Sequence, residues 1–154
     1  MADIGAWVAM RNVLCEGNNI GKFTATSIIK AGMVVAFAAA GLDMSVIPAI
    51  KATSGQPIGV ALHDAAAASQ VSVAMDGCIV NVQNAESNVD IEAGDILEDN
   101  DNAVGGTVSA AGVMDAGVVL VVKYQVGIAI AAILRSDVGR MLVQCGTFTS
   151  ANNA

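Results

Sequence analysis

The sequence predicts a mainly β fold with a thin core, either a small barrel or a flat sandwich, and three observations predict it. First, apolar runs alternate: Val71, Val73 and Met75 fall on one face of a strand while Ser72, Ala74 and Asp76 fall on the other. Second, hydrophobic residues make up 55% of the 154 but aromatics only 3%, so Ala, Val, Ile, Leu and Met must fill the interior. Third, one set of landmarks occurs twice. Ile29-Lys30-Ala31-Gly32-Met33-Val34 precedes the first set and Ile91-Glu92-Ala93-Gly94-Asp95-Ile96 the second; each is followed by a small-residue strand with glycine second, a polar turn and an alternating strand ending on glycine. Landmarks recurring in one order at similar spacing indicate an internal duplication.

In chain order, residues 1–22 read as an N-terminal arm and residues 23–154 as the β domain. The arm has no clean period, carries the sole tryptophan, Trp7, and runs into Glu16-Gly17-Asn18-Asn19. From Phe23 the pattern is strand-like. Ile28-Ile29 enters a turn at Lys30-Ala31-Gly32 and Met33 to Phe37 leaves it, while Ala38-Ala39-Ala40-Gly41 is stopped by its glycine and reads as a loop. Pro48 lies inside the apolar run 46–50, which places that run on a sheet edge.

The stretch 55–82 organises the first copy. Ile58-Gly59-Val60-Ala61-Leu62 is a buried strand, residues 65–69 form one helical turn capped by Asp64, and the alternating strand 71–76 ends at Gly77, where Cys78-Ile79-Val80 resumes the run. In the second copy the counterparts are Val126-Gly127-Ile128-Ala129, Leu134-Arg135-Ser136-Asp137 and 141–146, so Cys78 and Cys145 are expected in related places. Between the copies, residues 86–101 are strongly acidic, 104–108 read as a strand with a bulge or as a hairpin, 109–117 as a small-residue loop, and 118–122 as an aliphatic strand covered on both faces.

Whole-chain properties exclude several functions. A net charge of −7, a pI near 4.3 and only seven scattered Lys and Arg argue against a nucleic-acid partner. Charged residues amount to 14%, too few to coat a monomer, so apolar surface is expected to be left for association with other chains. The three cysteines are far apart with no CxxC pairing, which predicts buried free thiols. There is no basic leader, and the longest apolar stretch, 31–42, is too short to span a bilayer; synthesis in the cytoplasm and no membrane partner are expected.

Chemistry-bearing constellations are sparse. His63, the only histidine, is followed by Asp64, but no serine sits in a glycine-flanked nucleophile elbow, and no phosphate loop or zinc pattern is present. Residues 98–102 alternate oxygen side chains like a cation loop, yet the glycine at the sixth position and the glutamate at the twelfth are missing. No catalytic residue, cofactor or metal is expected. Arginine is favoured at interfaces, and the chain has three, Arg11, Arg135 and Arg140; with Trp7 these are the candidate interface residues. For Trp7, packing on its own domain is the competing reading; for Arg135 and Arg140, which bracket a turn with Asp137, it is a plain solvated turn with a local ion pair.

The phrases 28–35, 55–62, 71–77, 91–97 and 126–129 together resemble the small Ala/Gly/Val-rich decoration, or cement, proteins on the heads of tailed viruses of bacteria and archaea. The resemblance covers about residues 23–146 and rests on order and phrasing. It implies a small β-barrel or β-tulip-like domain, often a homotrimer, that binds the outside of an icosahedral capsid and bridges major capsid protein subunits. The expected location is then the virion, with the major capsid protein and copies of the chain itself as partners. The arm, the segment 38–45 and the loop 109–117 depart from the family pattern. Another virion subunit with the same barrel, in a tail, baseplate or turret, is the first alternative, and a small-ligand enzyme module using His63 the second.

Overall fold

The computed structural model describes residues 15–38, 44–49, 56–84, 90–99, 108–110, 121–135 and 137–150. Among these the secondary structure is all β, and no helix is long and apolar enough to cross a membrane. The strands are β1 (Ile20–Ala25), β2 (Val34–Phe37), β3 (Ser45–Pro48), β4 (Pro57–Ala61), β5 (Gln70–Ala74), β6 (Ile79–Gln83), β7 (Ile96–Asp99), β8 (Val108–Ala110), β9 (Val121–Ala129) and β10 (Val138–Ser150).

β1 to β5 close into a barrel in the order β1-β3-β2-β4-β5, with β1 and β3 parallel and the other pairs antiparallel. Five strands enclose little volume, and the interior matches it: Ala25, Ile29, Val35, Val46, Ala61, Val71 and Val73, with Phe23 the one aromatic. Phe23 meets the exposed Phe37 edge-on, ring centroids 6.1 Å apart.

β6 to β10 form the second sheet, in the order β6-β10-β9-β7-β8, and its two end strands meet at a parallel bridge between Asn84 and Val108. This is the first barrel over again, strand for strand. The paired backbone bonds between Ile29 and Ala65 recur between Ile91 and Ile133, and the bond from the Gly32 amide to the Ala61 carbonyl recurs from Gly94 to Ala129. The parallel pair Ala25 and Val46 recurs as Asn84 and Val108, and the bulge between β2 and β4 recurs between β7 and β9. The duplication expected from the repeated phrases is thus present in the hydrogen-bond pattern: the closed barrel of β1 to β5 is followed by a five-stranded sheet of the same strand plan, β6 to β10, whose ends meet only at the Asn84–Val108 bridge and which is called the second barrel below.

Gly59 and Gly127 explain why glycine stands second in both small-residue strands. A Cβ on Gly59 would overlap the Ala74 carbonyl, and one on Gly127 the Leu142 carbonyl, the same crossing in each barrel. Gly77, in a turn with a φ of +93°, is where one barrel hands over to the next. The Asp76 carboxylate accepts from the Cys145 amide at 2.8 Å, and the Asn19 side-chain amide donates to the Asp76 carbonyl at 3.1 Å, so the joint is tied to both barrels.

Several local expectations are corrected. Residues 65–69 form no helical turn, because Ala65 pairs with Ile29 and Ala68 turns the chain in the left-handed region at φ 66°. Asp64 instead accepts from the Ala31 amide at 2.9 Å, in the neighbouring turn that leads into β2. β3 is not a sheet edge: it lies between β1 and β2, and Pro48 is tolerated because β1 pairs only with Ser45 and Val46, beyond which its missing N–H has nothing to reach. Cys78 and Cys145 are not counterparts. The Val143 amide donates to the Cys78 carbonyl as the Met75 amide does to Asn19, which matches Cys78 to Asn19. Ser109 and Ala110, read as loop, belong to β8, and β9 begins within the expected strand at Val121. The end of the expected arm joins the body: Glu16 exchanges backbone bonds with Ile79, and β1 already starts at Ile20.

Candidate functional site

Alternation in the first barrel fixes which side chains point outward. With Val35, Ala61 and Val73 inside, Val34, Val60 and Ala74 face out. They stand opposite one another across β2, β4 and β5, with Ile20 of β1 next in line. All three are nevertheless fully buried, because they share one apolar cluster with Cys78, Val80, Val126 and Val143 of the second barrel. The barrels are therefore joined by the outer wall of the first.

The same row exists on the second barrel. Ile79, Leu142, Ile128 and Ile96 stand opposite one another across β6, β10, β9 and β7. Here the side chains are larger and uncovered: Ile96 is 40% exposed and the other three are half-buried. Ile130, the counterpart of the half-buried Leu62, is 44% exposed beside them. Covering a half-exposed aliphatic side chain is worth about 1 kcal/mol, so a row of this kind favours association.

Arg140 flanks this row on β10, exposed and opposite Asn81. Arg135 lies in the turn between β9 and β10, where its amide donates to the Asp90 carboxylate at 2.9 Å and its Nε approaches the same oxygen at 3.4 Å. The local ion pair expected with Asp137 is thus made with Asp90, while Asp137 accepts from the Val138 amide. Trp7 and Arg11 lie outside the described residues. The row itself was missed in the sequence, although one signal was present: Val34, Val60 and Ala74 in the first copy become Ile96, Ile128 and Leu142 in the second.

His63 is exposed and its ring is held by the backbone. The Ser72 amide donates to its Nε2 at 3.0 Å, which leaves the proton on Nδ1, directed to the Asp64 carbonyl at 3.0 Å. The cysteines are free thiols. Burial, then the neighbouring Asp76 carboxylate, pushes the Cys145 thiol up to about 12, and its Sγ donates to the Val126 carbonyl; burial, then Cys78, raises Cys15. Thiols so held are poor nucleophiles. Among the described residues, no three His, Cys, Asp or Glu side chains are grouped to hold a metal ion.

The class that the structure defines is an all-β protein in which a five-stranded strand plan occurs twice in tandem, with an apolar outer row left uncovered on the second copy. One solved structure of similar fold is the head fiber gp8.5 N base of bacteriophage phi29, which matches with a TM-score of 0.56 and 18% sequence identity over 86% of this chain and 95% of that one. At that identity the likeness is one of fold, and it spans both barrels. No protein-family model and no curated protein matches the chain.

Proposed function

We propose that this chain is a structural protein of a virus particle that binds the outer surface of an icosahedral capsid and bridges adjacent major capsid protein subunits. The observation that carries the reading is the fold likeness to a bacteriophage head-fibre base across both barrels. The acidic charge and the uncovered aliphatic row agree with it, since a shell-bound subunit needs a soluble exterior and an apolar contact. Many weak contacts repeated over a shell sum to firm attachment without any single strong one. No catalysis is assigned: His63 spends both ring nitrogens on the backbone, and Cys15 and Cys145 are held protonated.

A second reading, favoured by the fold likeness to a head-fibre base, makes the chain the base of a head fibre that attaches without bridging. Gold-labelled antibody against the chain, imaged on intact particles, tests the location. Label over the head supports both readings, whereas label confined to the tail or baseplate, or absent from particles, overturns them.

A further inference from the structure

The contact between the two barrels has two sides, and each barrel carries both. One side is the outward row, Val34, Val60 and Ala74 on the first barrel. The other is contributed by the second barrel and includes Val126 and Val143, which are 0% and 1% exposed within the shared cluster. Their counterparts in the first barrel are Ile58, the bulged residue of β4 as Val126 is of β9, and Met75, whose amide bonds Asn19 as that of Val143 bonds Cys78. Ile58 and Met75 pack against the first barrel's own core on one side but stay only half-buried, so part of each remains uncovered. The molecule therefore uses one copy of each side internally and leaves one copy of each open: the row Ile96, Ile128 and Leu142 on the second barrel, and Ile58 with Met75 on the first.

We propose that a second copy of this chain docks its first barrel, through Ile58 and Met75, on the outward row Ile96, Ile128 and Leu142, repeating between molecules the contact that joins the barrels within one. The occupant is a copy of the chain because the duplication supplies the matching surface, built from residues of the same kind at the same register. The contact is heterologous, so each molecule offers one of each side and successive copies close into a ring or continue as a fibre. This inference stands apart from attachment to a shell, and its test uses the purified full-length chain alone.

Two variants and their mixture decide it. Light scattering on the unaltered chain is expected to give a multiple of the 15.4 kDa chain mass. Ile128→Glu removes the row and Met75→Glu the opposite side, so each variant alone is expected to run as a single chain with an unchanged β signal in circular dichroism. Mixed in equal amounts they retain one intact contact and form a dimer, each tenfold or more tighter than either variant with itself. Where a glutamate variant loses its β signal, Ile96→Gln and Ile58→Gln are mixed in its place. An unaltered chain that stays at 15.4 kDa overturns the proposal. So does an assembly that survives Met75→Glu, as row-to-row pairing would give, or a mixture that stays monomeric, as a row covered by the chain's own residues 1–14 or reserved for a shell protein would give.

Discussion

Gly59 and Gly127 are the residues on which each barrel turns most tightly, since neither crossing leaves room for a methyl group above the carbonyls of Ala74 and Leu142. Gly127→Ala is expected to destabilise the fold by about 3 kcal/mol, and Gly59→Ala by a similar amount, read as a shift in the urea midpoint. An alanine at either position that leaves the midpoint unmoved would deny the close approach. Cys145 makes a pH prediction. Its thiol holds its proton up to about 12 in the fold against an ordinary value of 9.0, so its contribution to stability is complete below about pH 9 and falls as pH rises toward 12, where the unfolded chain alone releases the proton. Melting temperature is expected to drop between pH 8 and pH 10.5, and to drop less in Cys145→Ala. At this scale the sequence disclosed the second-position glycines but not their cause, because a carbonyl supplied by a strand fifteen or so residues away has no local signature.

Among the elements, the turn between β4 and β5 separates two kinds of polar contact. Asp64 accepts from the partly sheltered Ala31 amide and also meets the Lys30 ammonium at 3.4 Å, an ion pair with side chains 37% and 64% exposed. The hydrogen bond should dominate, since an exposed pair contributes little. Asp64→Ala is expected to lower stability by about 1–2 kcal/mol and Asp64→Asn, which keeps an acceptor, by less than half of that; equal losses would point to the ion pair. In the same turn Ala68 sits at φ 66°, where a side chain is disfavoured, and Ala68→Gly is expected to raise stability by about 0.5–1 kcal/mol in thermal unfolding. Strands 57–61, 70–74 and 126–129 were legible because alternation and glycine punctuation are local properties. The turn was misread as helical because alanine favours a helix when nothing else acts, and the pairing of Ala65 with Ile29 is set by a segment more than thirty residues earlier.

For the whole molecule, duplication explains both cohesion and exposure. One barrel's outer wall is spent on the other, and the second wall, with larger aliphatic side chains, is left to meet something else. The sequence announced surplus apolar surface through its 14% of charged residues and announced two copies through repeated phrases. It did not tell where the surplus lay, because Ile96, Ile128 and Leu142 come from three separated strands and become a row only when the register is set. Among the candidate interface residues, Arg140 falls beside that row while Arg135 is engaged with Asp90. The most direct measurement of the proposed role is co-sedimentation of the purified chain with expanded empty heads of the virus to which the proposal assigns it, followed by their melting temperature. Binding at saturable stoichiometry with heads that melt at a higher temperature is the predicted result; a chain that stays in the supernatant and leaves the heads melting as before would contradict it.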